Sequence, residues 1–208
     1  MRLLDLYCGA GGAAMGYHRA GFTEIVGVDM EPQPHYPFRF LEADALTVLK
    51  LPGWVEGFDL IHASPPCKAF TKTGWAIRYD YRSHHTDLLT PTRRMLELTG
   101  TPWVIENVPG APMRPDVVLC GSQFGLGVRR HRWFEVSWPE LALVPGCLHD
   151  GPVYSPHGNP NRFKGTRAQW AEAMGIDWMA TSGELSQAIP PAYTEYIGAL
   201  FLEREVAV

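Results

Sequence analysis

Three short stretches of this 208-residue chain carry side chains able to make and break covalent bonds, and each lies beside an apolar run. Pro65-Pro66-Cys67 follows Phe58 to Ser64, Glu106-Asn107-Val108-Pro109 follows Trp103 to Ile105, and Arg129-Arg130-His131-Arg132 precedes Trp133-Phe134. The two prolines fix their own φ and bias the residue before them toward extended geometry, so the Cys67 thiol is held at a strand end where a nucleophile belongs. A stiff turn carrying an ordinary buried cysteine has the same sequence, and environment decides between the two. Glu106, at another strand end, suits proton transfer but equally a salt bridge or a turn cap. If Arg132 begins a strand, alternation puts Arg130 and Arg132 on one face. Two guanidiniums beside a thiol can lower its pKa and hold a phosphate or carbonyl oxygen.

A fourth constellation opens the chain. Asp5-Leu6-Tyr7-Cys8-Gly9-Ala10-Gly11-Gly12 runs from an apolar segment into a helical one, and Asp29 ends the next apolar segment. Gly9, Gly11 and Ala14 satisfy a dinucleotide fingerprint, and Asp29 stands near the spacing of a ribose-binding acid. The pattern serves a nicotinamide dehydrogenase and an S-adenosylmethionine enzyme alike, since both need close backbone approach and a carboxylate for ribose hydroxyls.

The elements that must position these groups alternate. Strands are expected at Leu3–Tyr7, Ile25–Val28, Phe38–Glu42, Phe58–Ala63, Trp103–Glu106, Val117–Cys120 and Arg132–Val136, with helices at Ala13–Ala20, Ala45–Leu49, Leu88–Leu98, Ala168–Met174 and Pro191–Leu202. Pro32, Pro34 and Pro37 leave no room for a regular helix after Asp29. This order implies an α/β fold with a doubly wound, mainly parallel, Rossmann-like sheet whose ligands bind at the carboxyl ends of its strands. Residues 68–87 read as a long basic and aromatic loop, and Trp138 to Thr166 as an irregular insertion rich in Gly, Pro, Asn and His. The expected organisation is a catalytic and cofactor-binding lobe over 1–137, a short recognition-like insertion over 138–166, and a returning segment over 167–208.

The net charge of −4 argues against indiscriminate coating of nucleic acid, but the distribution is uneven. Residues 1–59 hold four Lys/Arg against eight Asp/Glu, whereas basic residues gather at Lys68, Lys72, Arg78 and Arg82, at Arg129 to Arg132, and at Arg162, Lys164 and Arg167. That suits a polyanion held at one face. Cys8, Cys67, Cys120 and Cys147 lie far apart without CxxC or Cys/His ligand spacing, so neither a metal site nor a disulfide framework is expected. Met1 to Asp5 is too short an apolar stretch for a signal peptide or membrane span, and a cytoplasmic protein with no membrane partner is expected.

In order and content these motifs resemble the cytosine-C5 DNA methyltransferase family, and the likeness spans nearly the whole chain. Asp5 to Gly12 resembles the family's cofactor loop, Asp29 its ribose acid, Asp44 its adenine-side acid, Pro65-Pro66-Cys67 its nucleophile motif, Glu106-Asn107-Val108 its glutamate motif and Arg130-His131-Arg132 its paired arginines. Trp170 to Trp178 resembles the start of the return to the catalytic lobe, and Ser186 to Pro191 the closing motif of the cofactor pocket. The resemblance implies S-adenosyl-L-methionine held by Asp5, Tyr7, Cys8, Gly9, Gly11, Gly12, Asp29, Met30, Asp44, Ala45 and Pro65. It implies catalysis by Cys67, Glu106, Arg130 and Arg132 on a cytosine extruded from double-stranded DNA, with the loop from Lys68 to His85 closing behind it through Lys72, Trp75, Arg78, Tyr79, Tyr81 and Arg82. RNA methylation, or a silent DNA-binding scaffold, would use the same frame. Val128 replaces a common glutamine and Ser186-Gln187 a Gly-Asn pair. The brief insertion resembles compact phage-type or orphan members. A restriction endonuclease partner and the recognised sequence are not legible.

Overall fold

The computed structural model describes residues 1–70, 86–139, 144–150, 153–154 and 165–206. Its frame is a seven-stranded sheet of β1 (Arg2–Leu6), β2 (Glu24–Asp29), β3 (Arg39–Glu42), β4 (Leu60–Ala63), β5 (Trp103–Asn107), β6 (Val117–Leu119) and β7 (Arg132–Val136), in the order β3-β2-β1-β4-β5-β7-β6. β7 alone runs against the other six strands, pairing antiparallel with β5 through Asn107 opposite Trp133 and with β6 through Leu119 opposite Arg132. The chain winds outward from β1 in one direction and from β4 in the other, so a crevice opens at their carboxyl ends. Reversal of β7 delivers its first residue, Arg132, to the edge where the parallel strands end.

Adjacent apolar residues on one strand serve opposite faces of the sheet. Leu3, Leu60 and Val104 pack with Tyr17 and Phe22 beneath α1 (Gly12–Ala20) and α6 (Pro191–Val206), together with Tyr193, Ile197 and Phe201. Leu4, Ile61 and Ile105 face α2 (Ala45–Val48) and α3 (Leu89–Thr99), where Leu89 and Leu96 close the other half of the core. A third cluster joins Val128 to Trp170 and Met174 of α4 (Arg167–Met174), to Met179, and to Leu185 of α5 (Ser182–Gln187).

The expected elements form with ends moved by a residue or a few, and residues 30–38 cross without a helix, as the three prolines require. α5, which ends in the first two residues of the motif from Ser186 to Pro191, was not among the expected helices. Its N-terminus is marked by a capping box, Thr181 with Glu184. At the edge of the insertion, Trp138 packs on Phe201 in the main core. Most of the insertion and the loop residues 71–85, including Lys72, Trp75, Arg78, Tyr79, Tyr81, Arg82, Arg162 and Lys164, lie outside the described residues. Among the described residues no helix is long and apolar enough to cross a membrane.

Candidate active site

The glycine turn is shaped from below. Asp5, at no measurable exposure, accepts a hydrogen bond from the Tyr36 hydroxyl at 3.3 Å, and its Oδ1 is buried with no partner among the described residues. Burial, reinforced by nearby Asp29 against the Tyr36 bond, pushes the Asp5 carboxyl up to about 8. Asp5 therefore supports the turn from inside. Tyr7 adopts a positive φ of 57°, unusual for a side-chain-bearing residue, and its hydroxyl pairs with Thr92 Oγ1 at 2.8 Å. Cys8 is buried, which drives its thiol pKa upward, and its N–H donates to Val28.

Above this base the chain reverses at Gly9, whose φ is +49° and around whose missing Cβ there is open space. The Gly9 N–H donates to Asp29 Oδ2 at 3.0 Å, while Asp29 Oδ1 accepts the Glu31 N–H at 3.1 Å. Gly11 (φ +82°) is the N-cap residue of α1 and offers no side-chain cap to its first turn. Gly12 sits so close to Ile189 that a Cβ would come within 2.4 Å of that carbonyl oxygen. Trp178 Nε1 donates to the Ala10 carbonyl at 2.8 Å, tying the returning segment to the same turn. Met30 is exposed just past Asp29. Asp44 caps α2 by accepting Thr47 N–H at 2.7 Å, and Ala45 behind it is buried.

This turn fits an adenosine-type cofactor by its own geometry. A helix start without a side-chain cap, an opening above Gly9, and an acid fixed at the neighbouring strand end are what such a group requires.

At the other side of the crevice, Pro65 and Pro66 carry the chain from β4 into a 3₁₀ turn that begins at the partly exposed Cys67. Asn107 Nδ2, at the end of adjacent β5, donates to the Pro65 carbonyl at 2.9 Å and so fixes the turn. Glu106 is buried, with Oε1 2.8 Å from Arg132 Nε. Burial raises the Glu106 pKa, opposed by Arg132, by a Ser64 hydrogen bond and by Arg130. Arg130 donates to the Ser186 carbonyl at 2.5 Å, its own carbonyl accepts the Tyr193 hydroxyl at 2.6 Å, and its Nε is buried without a hydrogen-bond partner among the described residues. Burial and the neighbouring Arg132 lower Arg130 to about 9, still protonated at neutral pH, and Cys67 lies within its electrostatic reach. Because Ser186 contributes its backbone, a change of side chain there leaves this bond possible. Val128 is buried in the third apolar cluster.

Behind Glu106 runs a hydrogen-bonded chain that sequence reading missed. Tyr17 hydroxyl meets His62 Nδ1 at 3.0 Å, His62 Nε2 meets Ser64 Oγ at 2.9 Å, and Ser64 bonds Glu106. Burial lowers His62 to about 3, so the ring is neutral. A Ser64 hydroxyl donating to the Glu106 carboxylate must accept from His62 Nε2–H, which leaves Nδ1 to accept from Tyr17. Period-two alternation along β4, which puts His62 and Ser64 on one face, is the signal that could have found it.

Linear distance between the cysteines does not keep them apart in the fold. The cysteines do meet a Cys/His constellation: Cys120, His131, Cys147 and His149 bring their ligand atoms within 4.8 Å of one another. Linear spacing hides it because the four come from the end of β6, the start of β7 and residues 144–150.

The strand order, reversed β7 and glycine turn define a Rossmann-like methyltransferase fold. Similar folds include the Schizosaccharomyces pombe Dnmt2 methyltransferase (TM-score 0.62, 16% identity, 99% of each chain) and the Entamoeba histolytica methyltransferase EhMeth (0.64, 9%, covering 99% of this chain and 98% of that one). The chain belongs to the C-5 cytosine-specific DNA methylase family, whose model matches residues 1–114. It is 30% identical over 120 residues to the Type II methyltransferase M1.HphI of Haemophilus parahaemolyticus, covering 50% of this chain and 32% of that protein. To M.XorII of Xanthomonas oryzae pv. oryzae it is 29% identical over 123 residues, covering 51% and 28%. The matched stretches thus span about a third of these curated relatives.

Proposed function

We propose that this protein methylates carbon 5 of cytosine in double-stranded DNA, with S-adenosyl-L-methionine as donor and Cys67 as covalent nucleophile. The observation that carries the reading is the meeting, at one sheet edge, of the Asn107-braced Cys67 turn, the Glu106–Arg132 pair and Arg130, beside the glycine turn. Family membership supports cytosine C5 as the target.

Held at the glycine turn, the donor would supply an electrophilic methyl on a sulfonium. Asp29 would hold its ribose, Asp44, Met30 and Ala45 would border its adenine, and Tyr7, Cys8, Gly11, Gly12 and Pro65 would shape the pocket around it. Carbon 5 of cytosine is too poor a nucleophile to take that methyl unaided. Cys67 Sγ forms a bond to carbon 6, and electron density moves to carbon 5 as Glu106 protonates or hydrogen-bonds ring N3. The raised pKa of Glu106 suits a group that must bring a proton. Arg132, holding Glu106, also offers a cation to the thiolate and to the O2 atom of the ring, and Arg130 shares that role. Methyl transfer to carbon 5 is followed by loss of the C5 proton and departure of Cys67, which restores the aromatic ring. Carbon 6 is covered in a stacked duplex, so the base must be extruded first.

Incubation with labelled S-adenosylmethionine and cytosine-containing duplex DNA, with an RNA duplex of the same sequence alongside, tests the reading. Cys67→Ala should lower methyl transfer by more than about a thousandfold, the scale for loss of a nucleophile, while donor binding by calorimetry stays within about twofold. Full activity in that variant removes Cys67 from the reaction. Transfer to RNA alone would reassign the substrate.

A further inference from the structure

Cys120, His131, Cys147 and His149 turn their ligand atoms toward one another, all within 4.8 Å. Cys120 Sγ lies 3.6 Å from His149 Nε2, and Cys147 Sγ lies 3.5 Å from His131 Nε2. A tetrahedral Zn²⁺ with sulfur at about 2.3 Å and nitrogen at about 2.0–2.1 Å has S···N edges of about 3.6 Å. Both observed edges match. Each imidazole turns its Nε2 inward, and the two rings stand nearly perpendicular at 79° with centroids 5.1 Å apart. A disulfide between Cys120 and Cys147 would need neither ring, and both cysteines are free thiols.

The surroundings serve the same point. Cys120 is fully buried at the end of β6, and the Ser122 hydroxyl reaches its sulfur at 3.5 Å, a supporting bond of the kind that orients metal ligands. Gln123 donates to the Pro145 carbonyl at 2.7 Å and Arg129 donates to the His149 carbonyl, so the segment bearing Cys147 and His149 is steered onto the sheet edge. Yet residues 145–150 are exposed and bring no apolar anchor of their own. Two thiolates would balance the charge of a dication, leaving a neutral centre beside the cations Arg129, Arg130 and Arg132.

The geometry points to a structural Zn²⁺ site, Cys120/His131/Cys147/His149, that pins residues 144–150 to the sheet edge beside Arg130 and Arg132. All four positions are filled by protein, which is the closed arrangement of a structural centre. Binding releases two thiol protons to solvent as two Zn–S and two Zn–N bonds form. His131 lies between the two arginines in sequence, so the ion would also hold the backbone that presents them.

Zinc content of the full chain, purified without a metal-affinity tag and dialysed against metal-free buffer, tests the site. About one equivalent of zinc should remain, and Co²⁺ in its place should give the visible bands of a tetrahedral ion with thiolate charge transfer. Cys147→Ser and His149→Ala change exposed residues, so far-UV circular dichroism should be unchanged. Each should weaken zinc in chelator competition by at least about tenfold. The site is refuted if wild-type protein retains no zinc and gives no tetrahedral cobalt spectrum, if the Cys147→Ser/His149→Ala double variant binds zinc as tightly as wild type, or if thiol mapping finds Cys120 and Cys147 joined to each other with zinc present.

Discussion

On the β1–β2 side of the carboxyl edge, the wall is the backbone of a glycine turn, and the side chains of Asp29, Asp5 and Tyr36 serve to hold that backbone. On the β4–β5–β7 side the arrangement is inverted: side chains face the crevice, and other side chains hold them. Glu106 is set by Arg132 and Ser64, the Pro65 carbonyl by Asn107, and the β7 backbone by buried Glu135, which takes Arg93 of α3 at 2.7 Å. A pocket made from backbone can be disrupted by adding an atom. One made from side chains fails when an atom is taken away.

The sharpest test of that contrast is Asn107→Ala, which deletes the brace on the Pro65 carbonyl without touching substrate. Methyl transfer should fall about a hundredfold, as for an ångström-scale misplacement of a reacting group, with donor affinity retained. Stability should drop by about 1–3 kcal/mol for the unpaired buried groups, measurable by urea unfolding. A loss of donor binding equal to the loss of rate would erase the distinction between the two sides.

Gly12→Ala probes the opposite rule. Its new Cβ would press on the Ile189 carbonyl, now 2.4 Å from that position, and the returning segment would have to shift. About 1–3 kcal/mol of overpacking is expected, with donor affinity reduced about tenfold by titration calorimetry. Unchanged affinity would show that Ile189 is free to yield.

The smallest measured difference, a change of slope between two neighbouring pH values, concerns Asp5. With a folded pKa of about 8 against an ordinary carboxylate value in the unfolded chain, the folded state binds the proton more tightly. That stabilisation is complete below about pH 4 and is lost as pH rises toward 8, by about 1 kcal/mol for each unit in between. Asp5→Asn cannot ionise, so urea unfolding at pH 6 and pH 7 should show less decline than in wild type. An identical slope would place the titrating group elsewhere.

Much of this was legible in the sequence, for reasons that differ by residue. Periodicity and turn chemistry fix the order of strands and helices, and Gly9 or Pro66 carries backbone geometry in its own identity, so the strand ends could be read. Arg132 could be placed because alternation follows from where β7 begins. The burial of Asp5 against Tyr36 was not legible, since Tyr36 comes 31 residues later, beyond β2. The His62–Ser64–Glu106 chain crosses from β4 to β5, and the Cys/His quartet joins Cys120 to His149 across 29 residues and His131 to Cys147 across 16. Such contacts depend on strand order and loop path, which local pattern does not encode.

One feature reaches back to the making of the protein. Thr194 Oγ1 donates to the Ala13 carbonyl at 2.8 Å across 181 residues of chain, and α6 packs so tightly that a Cβ on Gly16 would meet Pro191 and Thr194 at 2.1 Å. The helix that covers α1 is therefore translated long after α1 itself. Until residues 191–206 leave the exit tunnel, the nascent glycine turn rests on a helix with one apolar side bare.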